Sequence, residues 1–106
     1  MKINIEDYKH IYMTGIGGIS MSGIAEILKH WNYEVSGSDS NQSSQTEWLE
    51  SNGIHVDIGH ASKNIHEGID LLVYTAAVKQ DNPELVRARE LGIPTVERGE
   101  FLGEIT

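Results

Sequence analysis

At 106 residues with 16 acidic against 8 basic side chains, the chain carries a formal charge of -8, which opposes binding to nucleic acid or an anionic membrane surface. Its length suits one compact domain with a small core, and its 39% apolar content plus 11 glycines is globular rather than disordered in composition. Cysteine is absent, which excludes disulfides and thiol chemistry; Met1 to Asp7 lacks an apolar leader and no uncharged run nears the ~20 residues that span a bilayer, so a cytoplasmic, soluble protein is expected.

Short apolar runs alternate with helical patterns, as expected of parallel strands joined by crossover helices. Ile11 to Thr14 is the first strand, stopped by Gly15. From Ile19 to Trp31 the residues Ile24, Ile27, Leu28 and Trp31 fall at helical spacing and predict an amphipathic helix. Tyr33 to Ser38 reads as the second strand, followed by a polar turn at Asp39-Ser40-Asn41. Ser44 and Glu47 have capping-box spacing, so a helix is predicted from Ser44 to Asn52, ended by Gly53 in a left-handed conformation. Ile54 to Ile58 is the third strand, Ala61 to Gly68 holds at most one helical turn, and the apolar run Leu71 to Tyr74 suits a central strand. Asp81, Pro83 and Glu84 mark a helix start by acceptor, fixed φ and dipole charge, and Leu85, Ala88 and Leu91 form its apolar side before Gly92. Thr95 to Glu97 is a fifth strand, and Arg98 to Ile105 a last short helix. Together these predict one domain over residues 1–106: a doubly wound, Rossmann-like parallel sheet of about five strands in three α/β/α layers, with a crevice at the strands' carboxyl ends.

The informative segment is Gly15-Ile16-Gly17-Gly18-Ile19-Ser20-Met21-Ser22-Gly23, between first strand and first helix. Glycines there let the chain turn sharply and bring backbone N–H groups to a ligand, where a helix N-terminus supplies about half a positive charge. A diphosphate suits such a site, and backbone dipoles can hold it without Lys or Arg in the loop. Gly23 is expected to allow close approach to the strand beneath. The dinucleotide spacing G-x-G-x-x-G fails, because its third glycine falls on Ser20. Asp39 is read either as a ribose acceptor or as an Asx-turn residue. His60 and the small residues Thr75, Ala76, Ala77 and Val78 fall where the same crevice opens, leaving room for a flat base on which His60 stacks or to which it hydrogen-bonds.

His10, His30, His55 and His66 share no metal-ligand spacing, and Trp31 and Trp48 read as core or helix-packing residues. There is no G-x-x-x-x-G-K-[ST] loop, and Ser20 and Ser22 have no identifiable base, so binding rather than catalysis is expected.

The run Gly15 to Glu26 resembles the N-terminal signature of the Mur ligase family, in its alanine-adding branch. The likeness continues through Val35-Ser36-Gly37-Ser38-Asp39, Gly59-His60, Tyr74 to Val78 and Pro94 to Glu100. The resemblance implies three domains: a Rossmann-like domain for the UDP part of UDP-N-acetylmuramate, a central ATPase and a C-terminal domain. The whole ligase would join L-alanine to that sugar nucleotide using ATP and Mg2+, through an acyl phosphate, in cytoplasmic peptidoglycan precursor synthesis. On this basis the chain is the first domain alone, inactive by itself, with no catalytic residue, cofactor or metal of its own. Its partners would be UDP-N-acetylmuramate and the central and C-terminal domains.

Carried over residue by residue, the resemblance puts the diphosphate on the backbone of Gly15, Ile16, Gly17, Gly18, Ser20, Met21 and Ser22. Asp39 and Ser40 would face the nucleoside, with His60, Thr75, Ala76, Ala77 and Val78 completing its pocket. The family often has glycine where Ser20 stands, and serines at Thr75 and Ala76, which leaves individual hydrogen bonds open. The alternative is a nicotinamide-dependent dehydrogenase domain or NAD-sensing module, favoured by Asp39 and disfavoured by the failed third glycine.

Overall fold

Five short strands pair in parallel as β1 (His10–Thr14), β2 (Glu34–Asp39), β3 (His55–Ile58), β4 (Leu71–Tyr74) and β5 (Thr95–Glu97), in the order β3-β2-β1-β4-β5. The computed structural model describes residues 5–105; the leader expectation begins on residues 1–4, which with Thr106 lie outside the described residues. The helices are α1 (Ile19–His30), α2 (Ser44–Ser51), α3 (Pro83–Glu90) and α4 (Arg98–Ile105), and a 3-10 turn, Ser62–Asn64, lies between β3 and β4. This is the doubly wound, Rossmann-like α/β sheet expected from the sequence. Among the described residues no helix is long and apolar enough to cross a membrane.

β1 is central and wholly buried, with Met13 opposite Gly37 and Val73, and Thr14 opposite Ser38 and Tyr74. Because strand side chains alternate, Ile11, Met13, Val35, Val56, Val73 and Val96 share one core cluster with Ile24, Ala25 and Leu28 of α1, Leu49 of α2 and Phe101 of α4. On the other face Tyr12 and Leu72 pack with Leu85, Ala88 and Ile93. Towards β2 and β3 that face is polar, with His10, Thr14, Ser36 and Ser38 all buried.

Several local expectations are corrected. The buried side of α1 is Met21, Ile24, Ala25 and Leu28, whereas Ile27 is 44% and Trp31 48% exposed. The helix phase is set by the strand it crosses, so Trp31 caps the end of α1 rather than filling the core. Trp48 is likewise 41% exposed. A Cβ on Gly23 would meet nothing within 4 Å, so this glycine serves no close approach. The close approach belongs to Gly37, where a Cβ would collide with the Met13 carbonyl oxygen and lie 2.8 Å from the Ile16 side chain. The capping box is Ser43 with Thr46 rather than Ser44 with Glu47: the Thr46 amide donates to Ser43 Oγ (3.2 Å) and the Ser43 amide to Thr46 Oγ1 (2.8 Å). The cap of α3 is Asn82, not Asp81, and accepts from the Glu84 amide at 2.9 Å. Gly53 and Gly92 end their helices at φ +83° and +74°.

Candidate functional site

The chain leaves β1 towards α1 on one face and leaves β4 towards α3 on the other, so a crevice opens between their carboxyl ends. A cleft of about 690 Å³ occupies it. Gly15, Gly18, Asp39, Ser40, His60, Thr75, Ala77 and Val78 line it, joined by Lys79, Asp81, Asn82 and Pro83 from the approach to α3. Of the other residues carried over, Ile16 and Met21 are buried in the core, Ala76 is exposed outside the lining, and Gly17, Ser20 and Ser22 do not line the cleft.

Hydrogen bonding within the glycine loop narrows which donors face a ligand. The Gly15 and Ile16 amides both donate to the Ser38 carbonyl (2.8 and 2.9 Å), and the Gly18 amide donates to the Gly15 carbonyl at 3.3 Å. The Gly17 amide donates to Asp39 Oδ2 at 2.9 Å, and a Cβ on Gly17 would lie 2.7 Å from that oxygen. Asp39 therefore braces the loop, while its Oδ1 accepts from the Asn41 amide at 3.3 Å in an Asx-type arrangement. Gly18, the extended N-cap of α1, offers no side-chain acceptor. The first-turn amides of Ile19, Ser20 and Met21 consequently keep their hydrogens unbonded at the positive end of a 12-residue helix. Ser22 is turned back, its hydroxyl donating to the Ile19 carbonyl at 3.0 Å. The Ser20 hydroxyl is exposed and accepts from Arg98 Nη1 at 3.2 Å.

Behind the cleft lies Glu84, whose side chain is fully buried. Its Oε1 accepts from Ser38 Oγ (2.6 Å) and Thr14 Oγ1 (2.8 Å). Its Oε2 accepts from Asn64 Nδ2 (2.8 Å) and the Ala61 amide (3.2 Å), and the Tyr12 hydroxyl stands between Oε2 (3.3 Å) and Asp57 Oδ2 (3.2 Å), with one proton for the two. Four donors, with a share of the Tyr12 proton, compensate a charge that burial would otherwise make costly. Burial, then the Glu84 charge, pushes the Tyr12 phenol well above its ordinary value. Ser38 Oγ also pairs with His60 Nδ1 at 2.8 Å, so the cleft histidine is tied to the carboxylate.

Arg98 and Glu84 are the functional candidates that sequence reasoning missed. Arg98 lies 78 residues from Ser20, and a buried hub such as Glu84 was signalled only by the small polar residues Thr14, Ser36 and Ser38 on strands otherwise fit for burial. Among the described residues no group of three or more His, Asp or Glu is placed to hold a metal ion.

Residues 10–106 match the Mur ligase family, catalytic domain. Over 97 residues the chain is 59% identical to UDP-N-acetylmuramate--L-alanine ligase of Alkaliphilus metalliredigens, covering 92% of this chain and 21% of that protein. The crystal structure of UDP-N-acetylmuramate-alanine ligase from Thermotoga maritima superposes with a TM-score of 0.87 at 35% identity, over 92% of this chain and 22% of that one. UDP-N-acetylmuramate:L-alanyl-gamma-D-glutamyl-meso-diaminopimelate ligase from Neisseria meningitides gives 0.82 at 32% identity, over 92% and 31%. The chain spans about a fifth of the length of the curated relative it matches.

Proposed function

The chain belongs to the Mur ligase family, and on that premise we propose that it is the sugar-nucleotide-binding part of a ligase joining L-alanine to UDP-N-acetylmuramate. The observation that carries the reading is the set of three unbonded amides, Ile19, Ser20 and Met21, beside a cleft at the switch point of the sheet. A diphosphate placed there receives three N–H donors and the helix dipole, and Arg98 adds a cation next to Ser20. The nucleoside then fills the cleft against Asp39, Ser40 and His60, with Thr75, Ala76, Ala77 and Val78 bounding the base. Gly15, Ile16, Gly17 and Gly18 shape this site by holding the loop, and Met21 and Ser22 continue its helix.

ATP and Mg2+ belong, on this reading, to the remainder of the ligase. The described residues bring together no set of metal ligands, and no phosphoryl-transfer step is assigned to them. The chain alone is expected to release no phosphate from ATP with L-alanine and the sugar nucleotide present. The activity served would be peptidoglycan precursor synthesis in the cytoplasm, completed by a central ATPase and a C-terminal domain.

Titration with UDP-N-acetylmuramate, followed by amide NMR, should move the Ile19, Ser20 and Met21 resonances first. Shifts of these amides with NAD but not with the sugar nucleotide would overturn the reading in favour of a dinucleotide domain.

A further inference from the structure

The polar network behind the cleft determines which face of the His60 ring chemistry the ligand meets. Ser38 has one hydroxyl proton and stands 2.6 Å from Glu84 Oε1 and 2.8 Å from His60 Nδ1. Taken as a carboxylate, Glu84 only accepts, and the Ala61 amide and Asn64 Nδ2, which can only donate, both reach its Oε2. The Ser38 proton must then point at the carboxylate, because turning it to His60 would set two lone pairs against each other at 2.6 Å. Ser38 is left as an acceptor towards the ring, and Nδ1 must carry the hydrogen. Among the described residues Nε2 has no hydrogen-bond partner and no buried side-chain nitrogen or oxygen lacks one, so Nε2 is open where His60 lines the cleft.

We propose that Glu84, acting through Ser38, is a positioning residue that holds His60 in the Nδ1–H tautomer and presents a bare Nε2 lone pair to a hydrogen-bond donor of the ligand. The tautomer assignment stands on the free protein, whereas its use by a nucleotide rests on the function proposed above. A nucleoside offers such a donor from a uracil imide N–H or a ribose hydroxyl.

The decisive variant is Glu84→Gln, which keeps the shape of the side chain. The Ala61 and Asn64 donors fix its carbonyl on their side, so its NH2 faces Ser38 and becomes the donor. Ser38 then accepts from that amide and gives its own proton to Nδ1, and the tautomer inverts to Nε2–H. Long-range proton–nitrogen NMR of the His60 ring at alkaline pH should show Nδ1–H in the wild type, Nε2–H in E84Q, and a mixture in Ser38→Ala, where the relay is gone. A wild-type ring protonated on Nε2, or an E84Q ring unchanged from wild type, would sink the proposal; loss of packing alone inverts nothing. UDP should bind E84Q about tenfold more weakly, since donor now faces donor. An equal loss for UDP and CDP assigns the contact to ribose, and a loss for UDP alone assigns it to the uracil imide. Failure of UDP to bind the wild type would remove the nucleotide reading while leaving the ring spectra to decide the tautomer.

Discussion

On the face covered by α1, α2 and α4, β1 contributes Ile11 and Met13 to an unbroken apolar layer, whereas on the other face the same strand contributes Tyr12 and Thr14, which with Ser38 converge on Glu84. The apolar layer is held by non-directional burial and needs only volume and phase. The polar layer is directional: each hydroxyl has one proton to place, and the acceptor they share lies on α3, far along the chain. Between β3 and β4 the described residues hold only the Ser62–Asn64 turn instead of a covering helix, and although Ile65 and Ile69 from that segment pack with Tyr12 and Leu72, Thr14 and Ser38 meet the Glu84 carboxylate instead. Both faces carry apolar packing, but only the second also aims polar groups at the carboxyl edge of the sheet.

Removing one member from each face tests that contrast. Glu84→Ala takes the acceptor from Ser38, Thr14, Asn64 and the Ala61 amide in a buried site and should lower the unfolding free energy by about 3–5 kcal/mol. Leu28→Ala leaves a cavity under α1 and should cost about 3 kcal/mol. In urea unfolding both midpoints should fall, but only Glu84→Ala should also disturb the His60 and Ala61 resonances at the cleft. If Leu28→Ala disturbed them equally, the two faces would not be functionally distinct.

The contrast also explains what the sequence disclosed. Strands and helices were legible because their signals are local: periodicity, Pro83 at a helix start, and glycines at Gly53 and Gly92 where φ must be positive. The end of the sheet that holds the cleft followed from the strand–glycine–helix order. Capping details slipped by one residue, since neighbouring polar side chains compete for the same amides. The Glu84 network was illegible because its partners Ser38, Thr14 and Tyr12 lie 46 to 72 residues away. From sequence, Glu84 reads only as a carboxylate at the positive end of a helix dipole. The buried face of α1 was misjudged for a related reason, as the phase of an amphipathic helix is chosen by what it packs on.

A smaller effect is expected at the rim. Arg98→Ala removes an exposed side chain whose hydrogen bond goes to Ser20 Oγ, so stability should change little. Affinity for UDP-N-acetylmuramate should fall roughly fivefold, and the loss should shrink as salt rises, because a rim cation acts through a screened field. Calorimetric titration at two salt concentrations measures it; an unchanged affinity would confine anion binding to the α1 amides.

The smallest effect separates the polar face from the apolar one by pH. His10 is buried on β1, its Nε2 2.7 Å from Ser36 Oγ, with Glu34 3.4 Å from Nδ1 and the His66 ring 5.8 Å away. Burial lowers its pKa from the ordinary 6.5, and the His66 charge adds to that, against the opposing pull of Glu34 and Asp70. The unfolded chain therefore binds the proton more readily than the folded one. Stability from this site is complete above pH 6.5 and is lost as pH falls through the lower folded value. Asp70 is separable: the His10 and Lys9 amides, donating at 2.9 and 2.8 Å, hold its carboxyl below the ordinary 3.8, so its contribution is present above that pH and lost only in stronger acid. His10→Gln should thus flatten the stability profile just below neutrality without altering the acid limb. Urea midpoints at a series of pH values measure both limbs in one experiment, and an unchanged slope below pH 6.5 would mean that the folded protein accommodates a charged His10 on its polar face.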